Sequence, residues 1–419
     1  MAEKKIYNSF DFICKLLIPN ETDKFKPYKK ETYDSGWTKE QLMVIAKTDV
    51  SSVLLTVGGG YYSNKDYKIK TYSKNEKKED GSIIKGGKLE IPWGDRQKKY
   101  ALDKVADFKK VVFDTSSYYE RMKLERFIKN LEEGKAKEED KNNMLKEYGT
   151  IEIEKLQEKL KELQGLKKEF LSEVDLISLL KTEIPKYENE LFHIRGNIEY
   201  SEWNGKGYQK FIPKVIEKAH ETKQKLNGVV DIFFNQSSLN SSAYEITKKY
   251  IIDGYTRNYD GQLKKEIFVP MEFVIDGSKI NPNNPKQVGK LNFLVKPFKV
   301  EDDKIYELQY NVKFMNGAER KEITIDDLTP MQREQVELGL EDFDELKRGL
   351  GENKFGDNIN ENRLFKVNTI DFPNGAEETP YTYEDLCVVR PEKNSNVQEN
   401  TEQNSENKNS EIEDDEELF

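Results

Sequence analysis

Asn204-Gly205 is the strongest hairpin signal in the chain, because a two-residue type I′ turn needs positive φ at both central positions. The residues before it alternate. Phe192, Ile194, Ile198 and Tyr200 share one face of a strand, with Gly196 between them where a barrel strand bends. After the turn, Tyr208 and Phe211 interleave with Lys206 and Lys210, and Trp203 stands at the tip. A bent strand, a tight turn and a returning strand constrain this region to a curved antiparallel sheet.

Other segments read the same way. Val53, Leu54, Leu55 and Val57 form a strand-like run, and Gly58-Gly59-Gly60 reads as its end or a bulge. Tyr67, Ile69 and Thr71 alternate with Lys68, Lys70 and Tyr72, and Leu89–Trp93 forms a short strand broken at Pro92. Further strands are expected at 229–234, 267–275 and 291–295, and in the alternation of Tyr306, Leu308, Tyr310, Val312 and Phe314, which Asn316-Gly317 turns. A helix is expected from Thr329-Pro330 to about Leu350, then a last strand pair at 365–371 and 381–389. No internal repeat is visible.

Between these β regions the period changes. Ser117 and Glu120 make a capping box before Met122, Leu124, Phe127, Ile128 and Leu131 at helical spacing. The charged stretch 134–143 reads as a loop. Ile153, Leu156, Leu160 and Leu163 form a second stripe that Phe170 continues. The expectation is a helical hairpin inserted between β parts, with self-association through that hairpin as a corollary.

Charge is unevenly spread over the 419 residues, whose formal net charge is −10. From Pro391 onward ten acids face Lys393 and Lys408, a net of −8, so the preceding 390 residues are nearly neutral at −2. Nucleic acid is therefore not excluded, but its site must be a local groove. Between Tyr61 and Lys110, fourteen Lys and Arg stand against eight acids, alongside Tyr61, Tyr62, Tyr72, Trp93 and Arg96. Aromatics interleaved with cations suit single-stranded nucleic acid, because bases stack on rings while cations follow phosphates. The same logic covers Arg195, Tyr200, Trp203, Lys206, Tyr208, Lys210 and Phe211. No run approaches the roughly 20 apolar residues of a membrane helix. Cys14 and Cys387 alone suit a reducing cytoplasm.

Catalytic signatures are missing. His193 and His220 are the two histidines, and neither has a partner at metal-ligand spacing. No nucleophile elbow, phosphate-loop lysine or dinucleotide fingerprint occurs. Asp302-Asp303 and Asp326-Asp327 are acidic pairs of the kind a carboxylate-metal nuclease needs, but read as solvated turns. No enzyme activity, cofactor or metal is expected.

The tail carries its own signal. From 391 to 410 Val397 is the only aliphatic residue, a composition that cannot fold alone. The last nine residues then hold six carboxylates and end on Leu418-Phe419. An acidic peptide with an apolar tip suits a greasy socket ringed by Lys and Arg. Through Asp414, Asp415, Leu418 and Phe419 and the linker before them, the tail resembles that of bacterial and phage single-stranded-DNA-binding proteins, with Leu418 where the bacterial tip has Pro. That resemblance implies a globular DNA-binding body, a disordered linker and a tip, here Asp414, Asp415, Glu416, Glu417, Leu418 and Phe419, that recruits replication or recombination proteins. Given the length of the body, a phage-type relative in a bacterial host cytoplasm is the nearer comparison.

The expected fold is α+β, mostly β: an OB-like barrel with additional strands, an inserted helical hairpin and a disordered acidic tail. The expected segments are 1–115 (basic and aromatic β region), 116–184 (helical hairpin), 185–390 (OB-like domain with a late helix) and 391–419 (tail). The expected function is sequence-tolerant binding of single-stranded DNA in replication or recombination. The alternatives are a protein scaffold built on the hairpin and a carboxylate-metal nuclease.

Overall fold

The computed structural model describes residues 8–62, 66–78, 81–116, 118–260, 265–322, 325, 328–349 and 353–387. The acidic tail, Ser117 of the expected capping box and Asp326-Asp327 lie outside the described residues. The fold is mostly β. Strands β1 (Ser9–Leu17), β2 (Trp37–Lys47), β3 (Ser52–Tyr62), β4 (Phe192–Trp203) and β5 (Lys206–Lys218) close a barrel in the order β1-β2-β3-β5-β4-β1. All its pairings are antiparallel except β3 with β5, where Leu55 aligns with Phe211. Helix α4 (Glu173–Glu183) lies in sequence between the third and fourth strands and packs on β3 and β2. This order, with that helix, is the OB topology.

The same topology occurs a second time. Strands β6 (Lys225–Phe234), β7 (Lys249–Asp260), β8 (Lys265–Asp276), β9 (Tyr306–Glu322) and β10 (Asn353–Val367) close in the order β6-β7-β8-β10-β9-β6. Again only the third and fifth strands run parallel, and again a helix, α5 (Pro285–Val295), separates the third from the fourth. The internal repeat that the sequence hides is therefore a repeat of topology. The equivalent first strands β1 and β6 pair antiparallel, with Asp11 opposite Asn227, and join both barrels in one sheet. One core serves both: Phe12, Phe211 and Phe314 form a chain of ring contacts across the junction. Barrel one draws strands from both the 1–115 and the 185–390 segments, so the expected boundaries do not divide it.

Where a plain hairpin was expected, at 116–184, three helices precede α4: α1 (Tyr118–Glu132), α2 (Glu138–Tyr148) and α3 (Ile153–Leu166). Leu124, Phe127, Ile128, Met144, Leu156 and Leu163 form their separate core. Helix α2 occupies part of the expected loop at 134–143, because Glu138, Glu139 and Asp140 sit in its first turn and favour the positive end of the helix dipole. Phe170 leaves the helical stripe: α3 stops at Leu166, and 167–170 pairs as a strand with 111–114.

Five other expectations are corrected. The triple glycine neither ends β3 nor bulges it; the strand runs through, and the glycines make room for neighbours described below. Segment 291–295 is the end of α5, because Asn284 caps Lys286 and Gln287 and Pro285 starts a helix that buries Leu291, Leu294 and Val295. Asn316-Gly317 does not turn the chain, since β10 pairs with β9 across it, Gly317 opposite Ile359. The late helix is two, α6 (Pro330–Glu337) and α7 (Phe343–Gly349), divided where Gly339 takes positive φ. Thr382 and Asp385 cap a helical turn at Tyr383–Leu386 where a final strand was expected. Among the described residues no helix is long and apolar enough to cross a membrane.

Candidate nucleic-acid interface

Period two decides what barrel one shows to solvent. On β2, Thr38, Glu40, Leu42, Val44 and Ala46 are buried, so Trp37, Lys39, Gln41, Met43 and Ile45 point outward. On β3, Val53, Leu55 and Val57 point inward, and Leu54, Thr56, Gly58, Gly60 and Tyr62 form the opposite row, in which Thr56 is buried. The register sets these rows opposite each other: Trp37 with Tyr62, Lys39 with Gly60, Gln41 with Gly58, Met43 with Thr56, Ile45 with Leu54. Lys29, on the short strand Tyr28–Thr32, continues the row beside Gln41.

The glycines flatten this strip. A Cβ on Gly60 would lie 2.3 Å from Trp37 Cζ2, and one on Gly59 would lie 3.3 Å from Glu173 Cβ at the start of α4. The indole thus rests on bare backbone. Around it the rings join up: Trp37 meets Tyr62 at 4.9 Å, Tyr62 meets Tyr67 at 5.7 Å, and Tyr67 meets Trp93 at 5.6 Å. Trp93 stacks on Tyr61 at 4.8 Å, and the Arg96 guanidinium lies 3.9 Å from the Trp93 centroid.

The far end of the strip is the Asn204-Gly205 hairpin. Asn204 and Gly205 take φ of 51° and 73°, the type I′ geometry. Trp203 and Tyr208 are exposed at 68% and 50%. Because Leu55 and Phe211 both face inward where β3 and β5 align, Lys210 faces outward beside Leu54. The two aromatic clusters expected from the sequence therefore sit at opposite ends of one outer surface. Eight residues along β2 separate Trp37 from Ile45, roughly 26 Å at about 3.3 Å per residue.

The candidate residues divide by their neighbours. Tyr61, Tyr62, Trp93 and Arg96 are brought together, while Trp203, Lys206, Tyr208 and Lys210 share the other end. Lys68 and Lys70 lie exposed on Lys68–Tyr72, with Lys68 paired to Glu90 at 3.0 Å. Tyr72 lies 5.2 Å from the Lys109 ammonium. Tyr200 and Phe211 are corrections. They are 2% and 3% exposed, because the interior parity of β4 and β5 turns them into the core, and neither can stack on a base. Arg96 is also occupied: it forks onto Asp175 at 2.8 and 2.9 Å, fixing the start of α4 against the insertion. Arg195 lies away from the strip, 2.9 Å from Glu217.

That side of the barrel carries a charged ladder, Lys225–Asp11–His193–Glu217–Arg195, with links of 2.9, 3.0, 3.4 and 2.9 Å. Hydrogen bonds to Asp11 and Glu217 raise the His193 pKa to about 9 against the opposing effect of burial. Burial works to raise Asp11, but its bonds with His193 and Lys225 prevail and lower it to about 2. Gly196 sits at a register shift in this sheet, where the bent strand was expected.

Trp37, Lys39, Gln41, Met43 and Lys29 are residues of this outer strip that sequence reading missed. The alternation from Trp37 to Lys47 is the signal that would have found them. Among the described residues, no group of three or more His, Cys, Asp or Glu side chains could hold a metal. Asp302 accepts from Tyr306, and Asp303 from Gln236, as turn residues do. No protein-family model matches the chain, and no curated protein matches it.

Proposed function

We propose that the chain binds single-stranded DNA without sequence preference along the outer strip of barrel one, as a phage-type replication or recombination protein. The observation that carries this reading is the strip itself: a glycine floor flanked by Lys29, Lys39 and Lys210, with the Trp37–Tyr62–Tyr67 rings at one end and Trp203 and Tyr208 at the other. Bases stack at the ends while phosphates run along the cations. OB barrels bind strands on surfaces of this kind, at about 4–16 nucleotides per barrel. A duplex cannot splay its bases onto such rings, so it binds poorly. The acidic tip, ending Glu416-Glu417-Leu418-Phe419, recruits the partner proteins.

The test is fluorescence anisotropy of labelled oligo-dT at two salt concentrations without magnesium. The expected result is tight binding that weakens steeply with salt and is much poorer for duplex. No binding at low salt, even after removal of 411–419, overturns it. For the tip, the same deletion is expected to abolish capture of replication proteins; unchanged capture would remove the recruitment role.

A further inference from the structure

The duplication allows the two barrels to be compared face by face. The part of barrel two equivalent to the β2–β3 strip is the outer face of β7 and β8. There Asp253 stands directly opposite Glu272, both exposed. Like charges facing each other across an antiparallel pair repel, and among the described residues no ion pair relieves them. The other charges on this face are balanced: Arg257 pairs with Glu266, and Glu361 and Asp276 pair with Lys249 and Arg363. The equivalent faces thus have opposite character, with lysines in barrel one and unpaired carboxylates in barrel two.

This acidic face is also walled. The hairpin of barrel one leans across β8, so closely that a Cβ on Gly207 would lie 1.9 Å from the Pro270 carbonyl oxygen. A cleft of about 850 Å³ remains between the barrels, with Asp253 and Glu272 on one side and Tyr208 and Tyr255 among its other walls. Of its amide lining, Gln209 donates to Asn362 at 3.0 Å while Asn316 and Asn360 also face the cleft, and among the described residues nothing donates to the Gln209 Oε1. The cleft's lining carries three carboxylates, Asp253, Glu272 and Glu361, against one ammonium, Lys206, beside the ring faces of Tyr208 and Tyr255.

We infer that this inter-barrel cleft is a docking site for an arginine-bearing segment of a partner protein. A guanidinium answers this excess of carboxylate. Its planar fork of donors matches a pair of carboxylates, and its face stacks on tyrosine. Phosphate is excluded by the same Asp253–Glu272 pair, so a strand on barrel one ends where the partner begins. The inference needs no nucleic acid, although the cleft shares Tyr208 with the proposed DNA strip.

The test uses the full chain and a fluorescein-labelled penta-arginine peptide followed by anisotropy. Asp253→Asn with Glu272→Gln is expected to weaken binding about tenfold or more, the usual worth of charged hydrogen bonds. Tyr208→Ala is expected to weaken it less. Asp302→Asn with Asp303→Asn, which removes an acidic pair elsewhere, should change nothing; this control separates the cleft from general attraction to the acidic tail. Loss of cross-strand repulsion should leave the cleft variant at least as heat-stable as the parent, which guards against misfolding. Equal peptide affinity for parent and cleft variant overturns the inference. So does a cleft variant whose only change is tighter oligo-dT binding, which would make the cleft an extension of the DNA track. Failure of oligo-dT to bind any variant would count against the DNA reading alone.

Discussion

Gly60→Ala and Gly58→Ala should have opposite effects although they lie two residues apart on one face of β3. On Gly60, the new methyl would stand 2.3 and 2.6 Å from two indole carbons of Trp37 and 2.8 Å from the Thr38 carbonyl oxygen. Carbon atoms in contact sit about 3.5–4.0 Å apart, so the indole must retreat by about 1.2 Å or more. Overpacking of this kind costs about 1–3 kcal/mol of stability. It also tips the ring off its seat, and losing one stacking platform costs about 1–3 kcal/mol of binding, roughly 5- to 150-fold in affinity. On Gly58 the nearest atoms would be at 3.8 and 3.9 Å, ordinary contacts. Alanine there should stabilise the strand by about 0.5–1 kcal/mol, the entropic penalty of a glycine in a strand, and leave the Trp37 seat undisturbed. Urea denaturation measures the first quantity and oligo-dT anisotropy the second. If both variants behave alike, the steric reasoning fails. If Gly60→Ala is destabilised yet binds as the parent does, Trp37 is a structural ring and the platform has been misplaced.

Phe211→Ala should lower stability by about 3–5 kcal/mol, whereas Tyr208→Ala should stay within about 0.5 kcal/mol of the parent and weaken oligo-dT binding; urea midpoints and anisotropy together would expose a reversal. Arg96→Ala leaves the buried Asp175 carboxylate without its cation, with the Gln97 amide still donating to it, and should cost about 3 kcal/mol; a double variant with Asp175→Ala should cost less than the sum of the singles. His193 binds its proton more tightly in the fold, with a pKa of about 9, than in the unfolded chain near the ordinary 6.5. Its stabilisation is therefore complete below about pH 6.5 and disappears as pH rises through about 9. Thermal melts should show His193→Gln weaker than the parent at pH 6 and equal to it near pH 10; a constant gap would refute the ladder's role.

The strands of barrel one at 192–212 were legible because their cues are local: a glycine bend, a type I′ turn and an alternating core face. The identity of the barrel was less so. Its first three strands lie before residue 63 and its last two after residue 191, and nothing local announces that Leu55 will align with Phe211. The second barrel was invisible as a repeat because its strand order, and not its residues, is repeated. Short apolar runs misled for a known reason: Leu291–Val295 fits a buried strand or a buried helix equally, and only the Asn284-Pro285 cap decides. Composition found the aromatic–basic regions but could not assign faces. Tyr200 and Phe211 look like platform residues in a list of aromatics, and parity turns them inward. Arg96 looks like a phosphate contact until the distant Asp175 is placed beside it.

The insertion between β3 and β4 bears on how the chain is made. Barrel one cannot close until residues near 218 have emerged from the ribosome, since β1 and β3 wait for β4 and β5. Closing an unstructured loop of about 130 residues costs about 3 kcal/mol more than closing one of four, and such distant pairing slows folding. The three helices, with a core of their own, can form during that delay and shorten the loop. The insertion is then a clasp, whose own core shortens the span the barrel has to close.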